Sequence, residues 1–125
     1  GCEIPLGHTV DGQKLDTLLT GQTDSGRDES FLMHYPHAPH RSDYWTSFRD
    51  GQWKVIYHYF PTEVSGNSHY QLFDLKNDPF EQNDLARSQT DKLREMMKRM
   101  VRSLEQQGAV YPVDTDSRSV TPVVP

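Results

Sequence analysis

The chain has 125 residues, of which 34% are hydrophobic and 25% charged, and 18 Asp and Glu outweigh 13 Lys and Arg to give a net charge of −5. That length holds one domain rather than two, the acidic balance disfavours a phosphate-backbone binder, and no run approaches the roughly 20 apolar residues of a membrane-spanning helix. A single cysteine, Cys2, excludes an internal disulfide and a multi-cysteine zinc site. There is no starting Met, signal-peptide core or transit-peptide pattern, so the chain reads as a piece of a longer polypeptide or as its processed remainder.

Turn residues (Pro5, Gly7, Asp11-Gly12) open the chain, and Leu15, Leu18 and Leu19 then share one face of a short predicted helix stopped at Gly21. Residues 22–29 read as polar linker. From Ser30 the period changes to two. Phe31, Met33 and Tyr35 alternate with Leu32 and His34 in a first strand that ends at Pro36. Tyr44–Arg49 reads as a second strand, closed by the turn dipeptide Asp50-Gly51. The alternation of Trp53, Val55, Tyr57 and Tyr59 with Lys54, Ile56, His58 and Phe60 gives the clearest strand. A polar loop over Pro61–Ser68 leads to a fourth strand at Tyr70–Leu75. Asn77-Asp78-Pro79 stops it, because proline cannot donate into a central ladder.

Phe80–Arg87 is a connector, and Asp78 and Asn83-Asp84 are expected to hold the loop together by bonds to the backbone. Ser88 and Asp91 have capping-box spacing. Leu93, Met96, Met97, Met100, Val101 and Leu104 follow as one apolar helical stripe, with Gly108 at the stop. Lys92, Arg94, Lys98, Arg99 and Arg102 are that helix's solvated face. The expected fold is therefore α+β in two layers: a four-stranded antiparallel sheet with one long C-terminal helix packed on a face. Residues 1–108 form the unit. Within it, 1–29 is a connecting segment with a short helix, 30–75 the sheet, 76–87 the connector and 88–107 the helix; 109–125 is an extended tail with no core pattern.

The chemistry-bearing residues cluster after the first strand, in His34-Tyr35-Pro36-His37-Ala38-Pro39-His40-Arg41. Three histidines three apart invite a zinc reading. The prolines forbid a helix, however, and in polyproline II the histidines stand about 9 Å apart, whereas one zinc needs its ligands within about 2.1 Å. A hydrogen-bonded loop and a loop presenting His and Arg donors to an anion remain the other readings. Cys2 has no base at fixed spacing. No nucleophile elbow, zinc-protease helix or phosphate loop occurs, the carboxylates fall in turns, and Trp45 and Trp53 read as core or cross-strand packing. The residues alone describe a small module without a self-contained active site.

Four segments in order resemble the sulfatases, the arylsulfatase-like sulfuric ester hydrolases. Asp11–Gly21 resembles D-G-x-x-L-x-x-L-L-x-G, and Phe31–His37 resembles F-x-x-H-Y-P-H. Arg49–Ile56 is similar to R-x-G-x-W-K-L-I. Tyr70–Pro79 with Glu81, Asn83, Leu85 and Ala86 resembles E-L-Y-D-L-x-x-D-P-x-E-x-x-N-L-A. The set spans residues 1–108; the tail beyond Gly108 matches nothing in the pattern.

The resemblance implies the smaller C-terminal subdomain of a two-part enzyme. Its large N-terminal domain would carry the formylglycine, made from Cys or Ser in C/S-x-P/A-x-R, and a divalent cation, usually calcium. Cys2 lacks the proline and arginine of that motif, so no catalytic residue and no metal ligand is expected here. The subdomain is expected to pack on the catalytic domain of the same polypeptide, to shape the cleft for a sulfated small molecule or glycan, and to be inactive alone. His34, His37, His40 and Arg41 are the expected substrate contacts. The low mean hydropathy, −0.81, suits a unit that leaves one apolar face to a larger partner. Periplasmic, secreted or lysosome-like location follows from the resemblance only. The competing readings are a free-standing carbohydrate-facing module, which a net charge of −5 disfavours for anionic glycans, and a metal-binding protein built on the three histidines.

Overall fold

The computed structural model describes residues 6–7, 15–22, 30–37 and 44–125. A single-turn helix, α1 (Asp16–Leu19), precedes four strands: β1 (Phe31–Tyr35), β2 (Trp45–Asp50), β3 (Trp53–His58) and β4 (Tyr70–Asp74). A 3-10 turn at Glu63–Ser65 joins β3 to β4, and the long helix α2 (Thr90–Gln106) follows. The sheet order is β1-β2-β3-β4, every neighbour antiparallel. This is the α+β two-layer arrangement that the alternation and the methionine-rich stripe imply.

The register sorts side chains into rows across the sheet. Leu32, Phe48, Val55 and Leu72 pair in one row, and His34, Thr46, Tyr57 and Tyr70 in the next. These rows face α2. Leu93, Met96, Met97, Met100 and Leu104 meet Phe48, Val55, Tyr57, Tyr59 and Leu72 there in one buried cluster. Fully burying an apolar side chain of this size contributes about 1.5–3 kcal/mol, so the helix stripe is the main source of cohesion between layers. At the β2–β3 end the helix is tied down twice more: Arg99 pairs with Asp50, and the Lys92 ammonium sits 5.6 Å from the centre of the Trp53 ring.

Two boundaries differ from the sequence expectation. Asp50 still pairs with Trp53, so the hairpin loop is Gly51-Gln52, with Gly51 supplying the positive φ of 56° that a tight turn demands. α2 begins at Thr90, not Ser88. The Ser88 hydroxyl donates back to the Leu85 carbonyl at 3.3 Å, and Gln89 takes the cap position with no side-chain cap bond. The other end of the helix closes on Gly108 (φ 62°), with Gly108 N–H donating to Glu105 and Ala109 N–H to Leu104, a Schellman stop.

The tail also has more structure than its composition suggests. Ala109, Tyr111, Val120 and Val124 pack against the core. Residues 113–119 form a small turn in which the Asp114 carboxylate accepts the N–H groups of Asp116 and Arg118. The strap then returns: the Tyr70 hydroxyl donates to the Val123 carbonyl at 3.0 Å and Arg94 to that of Pro125 at 2.8 Å. An extended chain that packs through scattered side chains has no repeat period, so it leaves no pattern to read.

Candidate functional site

The face of the sheet away from α2 carries the off-phase residues. Phe31, Arg49 and Lys54 lie in one row, Met33, Ser47 and Ile56 in the next, and Tyr35, Trp45 and His58 in the third. Nothing among the described residues covers the β1 part of it: Phe31 is 56% exposed, Met33 44% and Tyr35 37%. The result is a mainly apolar groove of roughly 410 Å³ lined by Phe31, Met33, Trp45, Ile56 and the Lys54–Glu81 pair. α1 leaves apolar surface uncovered too, since Leu15, Leu18 and Leu19 are all exposed.

Lys54 donates to both carboxylate oxygens of Glu81 at 2.8 Å, a partly buried fork at the groove wall. Glu81 holds a left-handed backbone (φ 56°), unusual for a residue with a side chain, in the turn that follows Pro79. That turn is built by the neighbouring acids. Asp78 accepts the Asn83 N–H at 2.7 Å, and backbone N–H bonds from Asn83 and Gln82 hold its carboxyl below the usual range. Asp84 accepts the N–H of Leu72 and of Ala86, locking the connector to β4. Asp74 accepts from the Lys76 N–H and the Asn77 amide. These carboxylates are structural acceptors, as their turn positions suggest.

At the end of β1 the expected site residues part company. Tyr35 stacks on Trp45 across the strands, centroids 5.8 Å apart and 24° from parallel, and the exposed His37 ring meets Tyr35 edge-on at 5.7 Å. Trp45 thus makes a cross-strand pair with Tyr35, while Trp53 lies on the α2 side. His34 also points to the α2 side. Its Nδ1 lies 2.7 Å from Thr46 Oγ1 and its Nε2 2.8 Å from the Val110 carbonyl oxygen. Thr46 in turn bonds the Tyr59 hydroxyl at 2.8 Å, and burial pushes the Tyr59 phenol up to about 12. His34 and His37 therefore face opposite sides of the sheet and do not converge on one metal. His40 and Arg41 lie outside the described residues, as do Cys2 and most of the Asp11–Gly21 segment. No group of three His, Cys, Asp or Glu among the described residues could hold a metal ion, and no described helix is long and apolar enough to cross a membrane.

Sequence reasoning passed over two parts of this site. Arg49, Lys54 and Ile56 read as the outward phase of their strands, and the off-phase alternation was the signal that they line one surface. The Val110 carbonyl is a backbone acceptor, which no residue type announces.

A four-stranded antiparallel sheet with one helix on one face and exposed apolar side chains on the other defines a two-layer α+β unit. Residues 1–108 match the family described as N-sulphoglucosamine sulphohydrolase, C-terminal, and the chain belongs to that family: it is the C-terminal domain of a sulfatase-type enzyme. Among solved structures it is similar to that of BT4656, described as being in complex with its substrate D-glucosamine-2-N,6-O-disulfate, with a TM-score of 0.64 and 21% identity. The likeness covers 85% of this chain and 21% of that one, so the chain spans about a fifth of the protein it matches and shares its fold there.

Proposed function

We propose that this chain is the part of a sulfatase that packs on the formylglycine- and cation-bearing domain, helps to shape the cleft for a sulfated glucosamine, and hydrolyses nothing by itself. The observation that carries this reading is the family match over residues 1–108. The sulfated aminosugar bound by BT4656 supports the substrate class. In the whole enzyme the formylglycine would supply the nucleophile and calcium would screen the sulfate oxygens. Among the described residues, Asp74, Asp78 and Asp84 do not fit that cation, because they are engaged by backbone N–H groups and the Asn77 amide. Its role is to bind and to shape. The groove around Phe31, Met33 and Trp45 is the packing surface. His37, carried on the rigid Pro36 at the end of β1, faces the substrate, with His40 and Arg41 further along the sequence supplying donors to its anionic groups.

The test compares the purified 125-residue chain with the full-length protein. The chain alone should release no sulfate from an aryl sulfate, with or without calcium, and turnover would contradict the assignment. In the full-length protein, His37→Ala should raise KM for a sulfated glucosamine about tenfold, the scale of one lost charge-assisted hydrogen bond, and leave calcium affinity unchanged. An unchanged KM removes His37 from the substrate contacts.

A further inference from the structure

His34 opens the histidine loop but turns away from it, and the two short bonds to its ring leave neither nitrogen for a substrate. The Val110 carbonyl can only accept, so Nε2 donates to it, and in the tautomer with its proton there Nδ1 accepts from the Thr46 hydroxyl. The Tyr59 hydroxyl then donates to Thr46 Oγ1 and completes a relay of three side chains across β1, β2 and the end of β3. The edges of Tyr59 and Tyr111 close around the ring, with centroids at 6.1 and 5.8 Å.

The position of Val110 gives this relay its consequence. It lies beyond residue 108, outside the family match, at the start of the strap that crosses to Tyr70 on the opposite edge strand. His34 and Tyr70 belong to the same row of the sheet, so residues 110–123 bridge its two edges. Among the described residues β1 is one of those edges, paired only with β2, and its outer side chains are exposed. Among the same residues, the strap joins that ladder and the Tyr35–Trp45 stack in fixing the end of β1, from which Pro36 and His37 depart.

We infer that His34 is a positioning residue: it latches the 109–125 strap to the last turn of backbone in β1 and thereby sets where His37 is presented. The kinetic half of this inference rests on the sulfatase reading above; the latch itself does not.

The experiment uses the full-length protein and two independent readouts. The first is hydrogen exchange at the Val120 amide, which donates to the Pro112 carbonyl inside the strap. His34→Ala should speed that exchange about tenfold, the scale of one or two net hydrogen bonds. The second is steady-state kinetics on glucosamine-2-N,6-O-disulfate, where KM should rise about tenfold and kcat stay within about twofold. His34→Gln keeps an amide donor for Val110 and should restore both. Deleting residues 109–125 removes the Val110 latch together with the strap's core contacts and should raise KM at least as much as His34→Ala does. Adding His34→Ala to the deletion should raise it no further, because the partner of the latch is already gone.

Unchanged exchange at Val120 in His34→Ala would overturn the latch. Faster exchange with an unchanged KM would overturn the positioning role. A His34→Gln protein with a protected strap and a raised KM would mean that the imidazole itself meets the substrate, which also overturns it. If the unmodified full-length protein releases no sulfate, the sulfatase reading and the positioning role fall together, while Val120 exchange still decides the latch.

Discussion

Tyr59 shows how a single group couples burial to pH. Its side chain is buried, and this desolvation outweighs the opposing effect of its bond to Thr46, so the phenolate is disfavoured in the folded state and the phenol is pushed up to about 12 from an ordinary value of 10.0. Burial also raises Tyr57, Tyr70 and Tyr111. A folded-state value above the unfolded one means that the folded chain holds its proton longer. The stabilisation is complete below about pH 10 and is lost as pH climbs through about 12. Denaturant midpoints taken at stepped alkaline pH should therefore fall over that window. Tyr59→Phe should flatten the fall without abolishing it, since three other tyrosines contribute, and should cost about 1 kcal/mol at neutral pH from the lost bond to Thr46. A slope identical to that of the unmodified chain would show that Tyr59 does not titrate in this window.

Among the elements, the methionine stripe of α2 decides how the layers hold together. Met100 is fully buried in the cluster with Phe48, Val55 and Leu72. Met100→Ala leaves a cavity at the layer interface and should cost about 2–5 kcal/mol, read from urea unfolding, with the helix end at Gly108 unchanged. A cost under about 1 kcal/mol would mean that the layers close over the gap. This element and the strands were legible in the sequence because each repeats a period: 3.6 along Leu93–Leu104 and two along Phe31–Tyr35 and Trp53–His58. The start of α2 was misread because Ser88 has the right chemistry for a cap, yet its hydroxyl is used by the turn at Leu85. The strap was unreadable for a deeper reason. Its anchors are carbonyls at Val110, Val123 and Pro125, and any residue could supply them. The histidine cluster was legible as a feature but not as rings on two different sides of the sheet. Strand alternation places His34 and Tyr35 on opposite faces, and only the three-dimensional path past Pro36 brings His37 to the Tyr35 side.

At the scale of the whole molecule, the exposed half of the sheet is the feature that the described residues do not explain by themselves. Phe31 and Met33 sit beside Trp45 and Ile56 in a groove of roughly 410 Å³, with Arg49 and the Lys54–Glu81 pair along one side. An apolar sheet face of this kind marks an interaction surface, and the thin core makes the same point through composition. If the catalytic domain is the cover, a charge placed there has opposite consequences in the two contexts. In the isolated chain, Phe31→Glu changes a side chain already 56% exposed and should move the unfolding free energy by no more than about 0.5 kcal/mol. In the full-length protein the same glutamate would be buried without a partner. It should lower stability by about 2–3 kcal/mol and reduce sulfate release through loosened packing of the two parts. Paired denaturation curves on the two proteins measure the difference directly. Equal tolerance in both would mean that this face stays in water in the whole enzyme, and the packing surface would then have to be sought on the α2 side.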